Sequence, residues 1–274
     1  MQPLMIRTLW GLADEPADQP DAIRDLGGSR LPWAAVASPV QMIPEPEPFA
    51  DALEQAGLRY VPQVFSFASS VAEHTTMARS GLVAAAEFEP LHVVAQLGSD
   101  RWPPELAIGF IAEINRIAAD LGLRILHETH RMRPFFNPLT TQRALAEIDG
   151  LELCADLSHW TCVLESLGLP EDILSDVAAA TAQIDCRIGH EEGPQVGDPR
   201  SVRFRNNVAT FEAWWQLIWD TQSKAGAEHL ALAPEFGPPP YQPTDPHTGE
   251  PFADVNELNE WMAERLIERF WPKV

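Results

Sequence analysis

The chain has 274 residues, 45% of them hydrophobic, and carries 40 acidic against 19 basic side chains, for a formal net charge of −21. That supplies a sizeable core and matches the roughly 250 residues of one α/β barrel. A surface this acidic argues against nucleic acid and anionic membranes as partners, since both demand positive charge, and no apolar run approaches the length of a membrane span.

In chain order, Leu4–Trp10 reads as the first strand, directly after an N-terminus (MQPLMIRTLWG) without the basic region and apolar stretch of a secretory leader. The first crossover, Asp14–Gly28, has the weakest pattern and reads mostly as loop. Trp33–Ser38 and Leu58–Phe65 are the next strands, separated by a helix over Pro48–Ala56 that Gly57 stops. A helix over Ser70–Phe88 leads to the strand Leu91–Leu97, and Pro104–Leu121 is a helix ended by Gly122. The strands Leu123–Glu128, Leu151–Asp156, Gln183–Ile188 and His229–Pro234 then alternate with helices over Pro138–Ile148, Pro170–Ala180 and Val208–Ala225. A helix over Asp254–Phe270 closes the ring. Between it and the eighth strand lies GPPPYQPTDPHTGEP, Gly237–Pro251, either a functional loop or a rigid proline-rich connector. Eight strand–helix units without a linker predict one (β/α)8 barrel domain over residues 1–274.

In such a barrel all strands point the same way, and their C-terminal ends share one mouth. Four acids sit at those ends: Glu128, Asp156, Asp185 and Glu235. Side-chain alternation turns Ile184, Cys186 and Ile188 toward the helices and Gln183, Asp185 and Arg187 inward. The same parity groups Leu126 with Glu128, Cys154 with Asp156, and Ala233 with Glu235. Buried carboxylates repel each other unless a cation or separate arginines balance them, so the leading expectation is one divalent metal ion. Oxygen ligands suit Mg²⁺ or Mn²⁺, and a nitrogen from His190, just past the seventh strand, would shift preference toward Mn²⁺, Co²⁺ or Zn²⁺. His159 is placed at the mouth, to polarise a substrate oxygen or to cap the following helix. Arg187 is the inward cation for a substrate oxyanion or for neutralising Asp185. His130 and Arg131 follow Glu128 into a loop within reach of substrate, whereas His127 has the parity of a residue packed under a helix.

Only Lys224 and Lys273 are lysines, which argues against Schiff-base chemistry at the barrel centre. Cys154, Cys162 and Cys186 lack CxxC spacing and fit reduced thiols in a cytoplasmic protein. Arg131, Arg133, Arg200, Arg203 and Arg205 would either bind a substrate phosphate or balance the acidic surface. Trp214, Trp215 and Trp219 form a helical aromatic group that is either core or a homo-oligomer interface.

HETHR, ADLSHW, RIGHEEGPQVGDPR and APEFG, in this order, resemble the sugar phosphate isomerase/epimerase superfamily, the xylose-isomerase-like TIM barrels that include ketose 3-epimerases and endonuclease IV. The resemblance covers essentially the whole chain, with its specific motifs between residues 124 and 240. It implies one Mn²⁺-like ion held by Glu128, Asp156 and Glu235, with Asp185 standing where those epimerases carry the metal histidine. It further implies His159 near the substrate, Glu128 and Glu235 as the proton-transferring pair, and Gln195 among the substrate-binding residues together with His130 and Arg131. The implied activity is isomerisation or epimerisation of a sugar-like keto compound by α-proton abstraction through an enediolate. The alternatives are metal-dependent cleavage of a 3-keto-glycoside, and a sugar-binding barrel without metal or catalysis.

Overall fold

The computed structural model describes residues 1–271; Lys273 lies outside them. Eight parallel strands, β1 (Gln2–Thr8), β2 (Trp33–Pro39), β3 (Arg59–Phe65), β4 (Val93–Gln96), β5 (Ile125–Glu128), β6 (Leu153–Ala155), β7 (Thr181–Cys186) and β8 (His229–Pro234), pair in chain order. Pairing of β1 with β8, Met5 opposite Leu232, closes the ring. Around it run α1 (Gln19–Gly27), α2 (Pro46–Ala56), α3 (Val71–Ala86), α4 (Pro104–Asp120), α5 (Pro138–Glu147), α6 (Leu157–Val163), α7 (Glu171–Ala180), α8 (Arg205–Lys224) and α9 (Val255–Phe270).

Strand parity divides the apolar residues into two layers. Ile6, Ala35, Val61, Val94, Leu126, Cys154 and Ala231 form the barrel interior. Met5, Val36, Tyr60, Val64, Val93, Ile184, Cys186 and Ile188 join the larger layer beneath the helices. His127 belongs outside, as its parity predicts, with Nε2 2.7 Å from Asn115 Oδ1 on α4. Small inward residues on β2 and β8 (Ala35, Ala37, Ala231, Ala233) fill little of the interior on that side.

The local signals are ordinary ones. Ser70 and Glu73 make a reciprocal capping box at the start of α3. Gly57, with φ of 67°, ends α2 in the left-handed conformation that glycine tolerates best. The first crossover departs from the expected loop: α1 forms there, with Pro20 in its first turn and Ile23 fully buried. Few apolar positions mark this short helix, and packing against α2 holds it.

A candidate metal centre at the barrel mouth

Each acid reaches the mouth from its own strand. Glu128 ends β5, Asp185 is the last but one residue of β7, and Asp156 and Glu235 directly follow β6 and β8. All four are buried, and one oxygen from each lies within 4.8 Å of those of the others.

A ring of side chains holds these carboxylates. Gln96 Nε2 donates to Glu128 Oε2 at 2.6 Å, and Gln63 Nε2 to Glu235 Oε1 at 3.4 Å. Gln183 Nε2 donates to Asp185 Oδ1 at 2.7 Å while its own Oε1 lies 2.6 Å from His92 Nε2, and Cys154 Sγ donates to Asp185 Oδ2 at 3.1 Å. Asp156 caps α6, its Oδ1 accepting from Ser158 N at 3.0 Å. Arg187 forms an ion pair with Asp156 through Nη2, and its Nη1 lies 3.7 Å from Glu235 Oε2. It is therefore not a private partner of Asp185.

The electrostatics demand more positive charge than Arg187 supplies. Burial, then the charges of Asp185 and Asp156, raise Glu128 well above the usual carboxylate range. Burial and Asp185 do the same to Glu235, and Asp185 is pushed up to about 6 by burial and by Asp156. Asp156 is raised by burial in spite of Arg187. Burial opposes the charge on Arg187, but Asp156 and Glu235 hold it protonated, above its ordinary value. Four acids facing one guanidinium make a site in which a divalent cation fits the charge and the oxygen donor set. The glutamines orient the carboxylates through these hydrogen bonds, and one oxygen of each acid lies in the shared cluster.

No protein-family model and no curated protein matches the chain. Solved structures do match it. A xylose isomerase-like TIM barrel protein from Mycobacterium smegmatis, in complex with magnesium, aligns over 97% of both chains at 12% identity with a TM-score of 0.57. D-allulose 3-epimerase from a Methylomonas species, in complex with D-allulose, aligns over 98% of both chains at 12% identity with a TM-score of 0.65. The IolI protein with a bound zinc atom aligns over 98% of this chain and 100% of its own, at 10% identity with a TM-score of 0.68. The chain has the xylose isomerase-like TIM-barrel fold.

In this xylose isomerase-like barrel a cavity of about 430 Å³ opens above the acids. Glu128, Glu235, Arg187, Gln63, Gln96 and His130 line its floor. His159, fully buried on α6, does not cap that helix and sits behind Arg187, its Nε2 accepting from Nη2 at 2.9 Å. Burial, then His130 and Arg187, hold it well below the usual histidine value, so it is neutral. Among the described residues its Nδ1 has no hydrogen-bond partner. The His130 ring lies against it at 3.8 Å, and His130 Nε2 is 3.3 Å from the Tyr241 hydroxyl.

Three sequence-predicted site residues lie elsewhere. His190 turns away from the acids into a tight loop, with its backbone N–H donating to Gly193 O at 2.8 Å and its ring 6.0 Å from Phe204. Gln195 is buried and spent on the loop after β8, donating to Gly237 O at 3.0 Å and accepting from Gly237 N at 2.8 Å. Arg131 stacks on Tyr241 at 5.0 Å without lining the cavity. Conversely, sequence reasoning passed over Gln63, Gln96, Trp10 and Tyr241. The two glutamines stand on inward positions of β3 and β4, a parity signal that was available. Tyr241 belongs to the Gly237–Pro251 loop, which builds part of the cavity wall.

Proposed function

We propose that the chain is a divalent-metal-dependent isomerase or epimerase acting on a sugar or sugar-like keto compound by α-proton abstraction through an enediolate. The observation that carries this reading is four buried carboxylates converging within 4.8 Å of one another, two of which, Glu128 and Glu235, line an open cavity. Glu128, Asp156, Asp185 and Glu235 would hold one ion. With His190 turned away, their all-oxygen donor set suits Mn²⁺ first and Mg²⁺ next, ahead of Co²⁺ or Zn²⁺. When bound, the cation supplies Lewis-acid polarisation of the substrate carbonyl, which acidifies the neighbouring C–H.

Glu128 and Glu235 both line the cavity, on strands three apart around the ring. One removes the α-proton and the other returns a proton from a different direction, which permits inversion at that carbon. Gln96 and Gln63 keep each carboxylate aimed inward. Arg187 offers its guanidinium to charge developing on the substrate oxygen, and His159 positions Arg187 from behind. His130, whose Nε2 pairs with the Tyr241 hydroxyl, lines the cavity where a substrate hydroxyl could exchange for that contact. The D-allulose complex of the Methylomonas enzyme supports a sugar as the ligand class.

Solvent-deuterium exchange at the α-carbon of D-fructose and D-allulose, with Mn²⁺-loaded protein, tests the assignment. Glu235→Gln should lower exchange by about 10²–10⁴-fold, the usual effect of removing a general base. Exchange at the wild-type rate would sink it. A binding barrel without catalysis would instead hold ligand equally well with and without EDTA, which calorimetry reads.

A further inference from the structure

The upper half of the cavity differs chemically from its floor. Leu9, Trp10, Pro39, Met42, Phe65 and Tyr241 make a largely apolar wall. Trp10 and Tyr241 meet edge to face at 5.0 Å. The indole lies flat on bare backbone: a Cβ at Gly237 would come 2.1 Å from Trp10 Cη2. At the end of β3, Phe65 stacks on Phe67 at 6.2 Å with the rings 8° apart, and the Arg133 guanidinium covers Phe67 at 4.6 Å. Met42 is 47% and Phe67 66% exposed, so apolar surface continues out to the rim.

The lining offers few groups to a phosphate. Arg187 is the only basic side chain on the cavity wall among the described residues other than His130, and it is committed to Asp156 and Glu235. Arg133 is spent on Ser66 O and Gly98 O, at 2.7 and 3.0 Å. At the rim stands another acid, Asp14. Beyond an ion at the floor and the already paired Arg187, a phosphate dianion would find no further cationic side chain among the described lining residues, and it would pass an acid at the rim. The volume, about 430 Å³, falls among cavities that enclose drug-sized ligands, roughly 300–1,000 Å³.

We infer that the site takes an uncharged keto sugar carrying an apolar planar substituent, the simplest being an aryl glycoside, and discriminates against phosphate esters; this rests on the reading of the floor as a keto-sugar site. The sugar ring sits over the acids, and the substituent lies against the Trp10, Tyr241 and Phe65 wall, where apolar burial and aromatic contact select it.

Calorimetry on the Mn²⁺-loaded protein tests this with four probes: the methyl and phenyl glycosides of 3-keto-D-glucose, D-fructose and D-fructose 6-phosphate. The phenyl glycoside should bind roughly tenfold more tightly than the methyl one, as expected for burying one ring, and D-fructose should bind more tightly than its phosphate. Trp10→Ala should remove most of the phenyl preference. If that variant fails to fold by circular dichroism, Met42→Ala, at an exposed rim position, should reduce the preference instead. Equal binding of the two glycosides, or tighter binding of the phosphate ester, would overturn the inference. Failure of the keto-sugar reading registers separately: phenyl preference without α-proton exchange removes that reading alone, whereas exchange with equal glycoside affinities removes the wall's selectivity alone.

Discussion

Asp185 puts an oxygen donor on an inward position of β7, where the resemblance implied a metal histidine. The surrounding groups suit the change. Gln183 donates to one carboxylate oxygen, Cys154 to the other, and His92 holds Gln183 in place. Burial pushes His92 down to about 4, so it stays neutral and adds no charge. Asp185→His should therefore move metal preference from Mn²⁺ and Mg²⁺ toward Zn²⁺, since imidazole favours the later metals. Competitive titration should show the Zn²⁺-to-Mg²⁺ affinity ratio rising by about tenfold or more, on the scale of ligand-identity effects; an unchanged ratio would remove Asp185 from the ligand set. Parity along β5 to β8 made these residues legible, because alternation is local and a strand end is where an inward acid meets the mouth. The positions of His190 and Gln195 were not legible, because both lie beyond β7, where loop geometry overrides alternation.

Among the elements, α6 and the loop after β8 do the most for the site. α6 is not among the helices that the sequence predicts; Asp156 starts it by capping Ser158 N, and the helix carries His159 behind Arg187. Leu157–Thr161 are buried and only Cys162 and Val163 reach the surface, so the helix shows little of the polar face by which a surface helix is recognised. The loop after β8 is tied to the loop after β7 by Gln195 and Gln242, and to α9 by Asn259, which donates to Phe236 O at 2.9 Å. Gly237 lets Trp10 close onto this loop. Gly237→Ala should force the indole aside, costing about 1–3 kcal/mol as overpacking does, and should weaken ligand binding more than it slows exchange by bound substrate. Denaturant unfolding together with separate kcat and KM measurements checks this. Unchanged stability and KM would mean that the Trp10 contact is dispensable.

For the whole molecule, the acids set how stability responds to cation and pH. A divalent ion at a hundred times its Kd should stabilise the fold by about 2.7 kcal/mol, or roughly 5–10 °C in Tm for a chain of this size. Scanning fluorimetry with Mn²⁺ against EDTA reads the shift, and none at saturating ion would remove the metal site. In the metal-free protein the sign with pH is unusual. Asp185 is raised to about 6 when folded, against about 3.9 for an unfolded Asp. Between these values the native state holds more protons, so this group's contribution to stability falls as pH rises from about 4 through 6. Wild type should thus lose stability relative to Asp185→Asn across that window, and bound Mn²⁺ should abolish the trend. Parallel curves for the two proteins without metal would refute it. The tryptophans of α8 also resolve at this scale. Trp214 and Trp215 are both buried, Trp214 against Phe211 at 4.9 Å, and Trp219 packs on Phe270 of α9 at 4.7 Å. Burial from two sides accounts for a pair that one helix face could not hide.

The barrel, the order of its strands and the four acids at its mouth follow from sequence alone, because apolar periodicity and strand parity act over a few residues. Only tertiary structure decided which side chains touch the cavity. Arg187 pairs with Asp156 and Glu235 rather than Asp185, His159 stands behind that arginine, and Trp10 meets Tyr241 across the whole length of the chain. Those contacts depend on barrel closure and on loops packed against one another, and no local pattern encodes them.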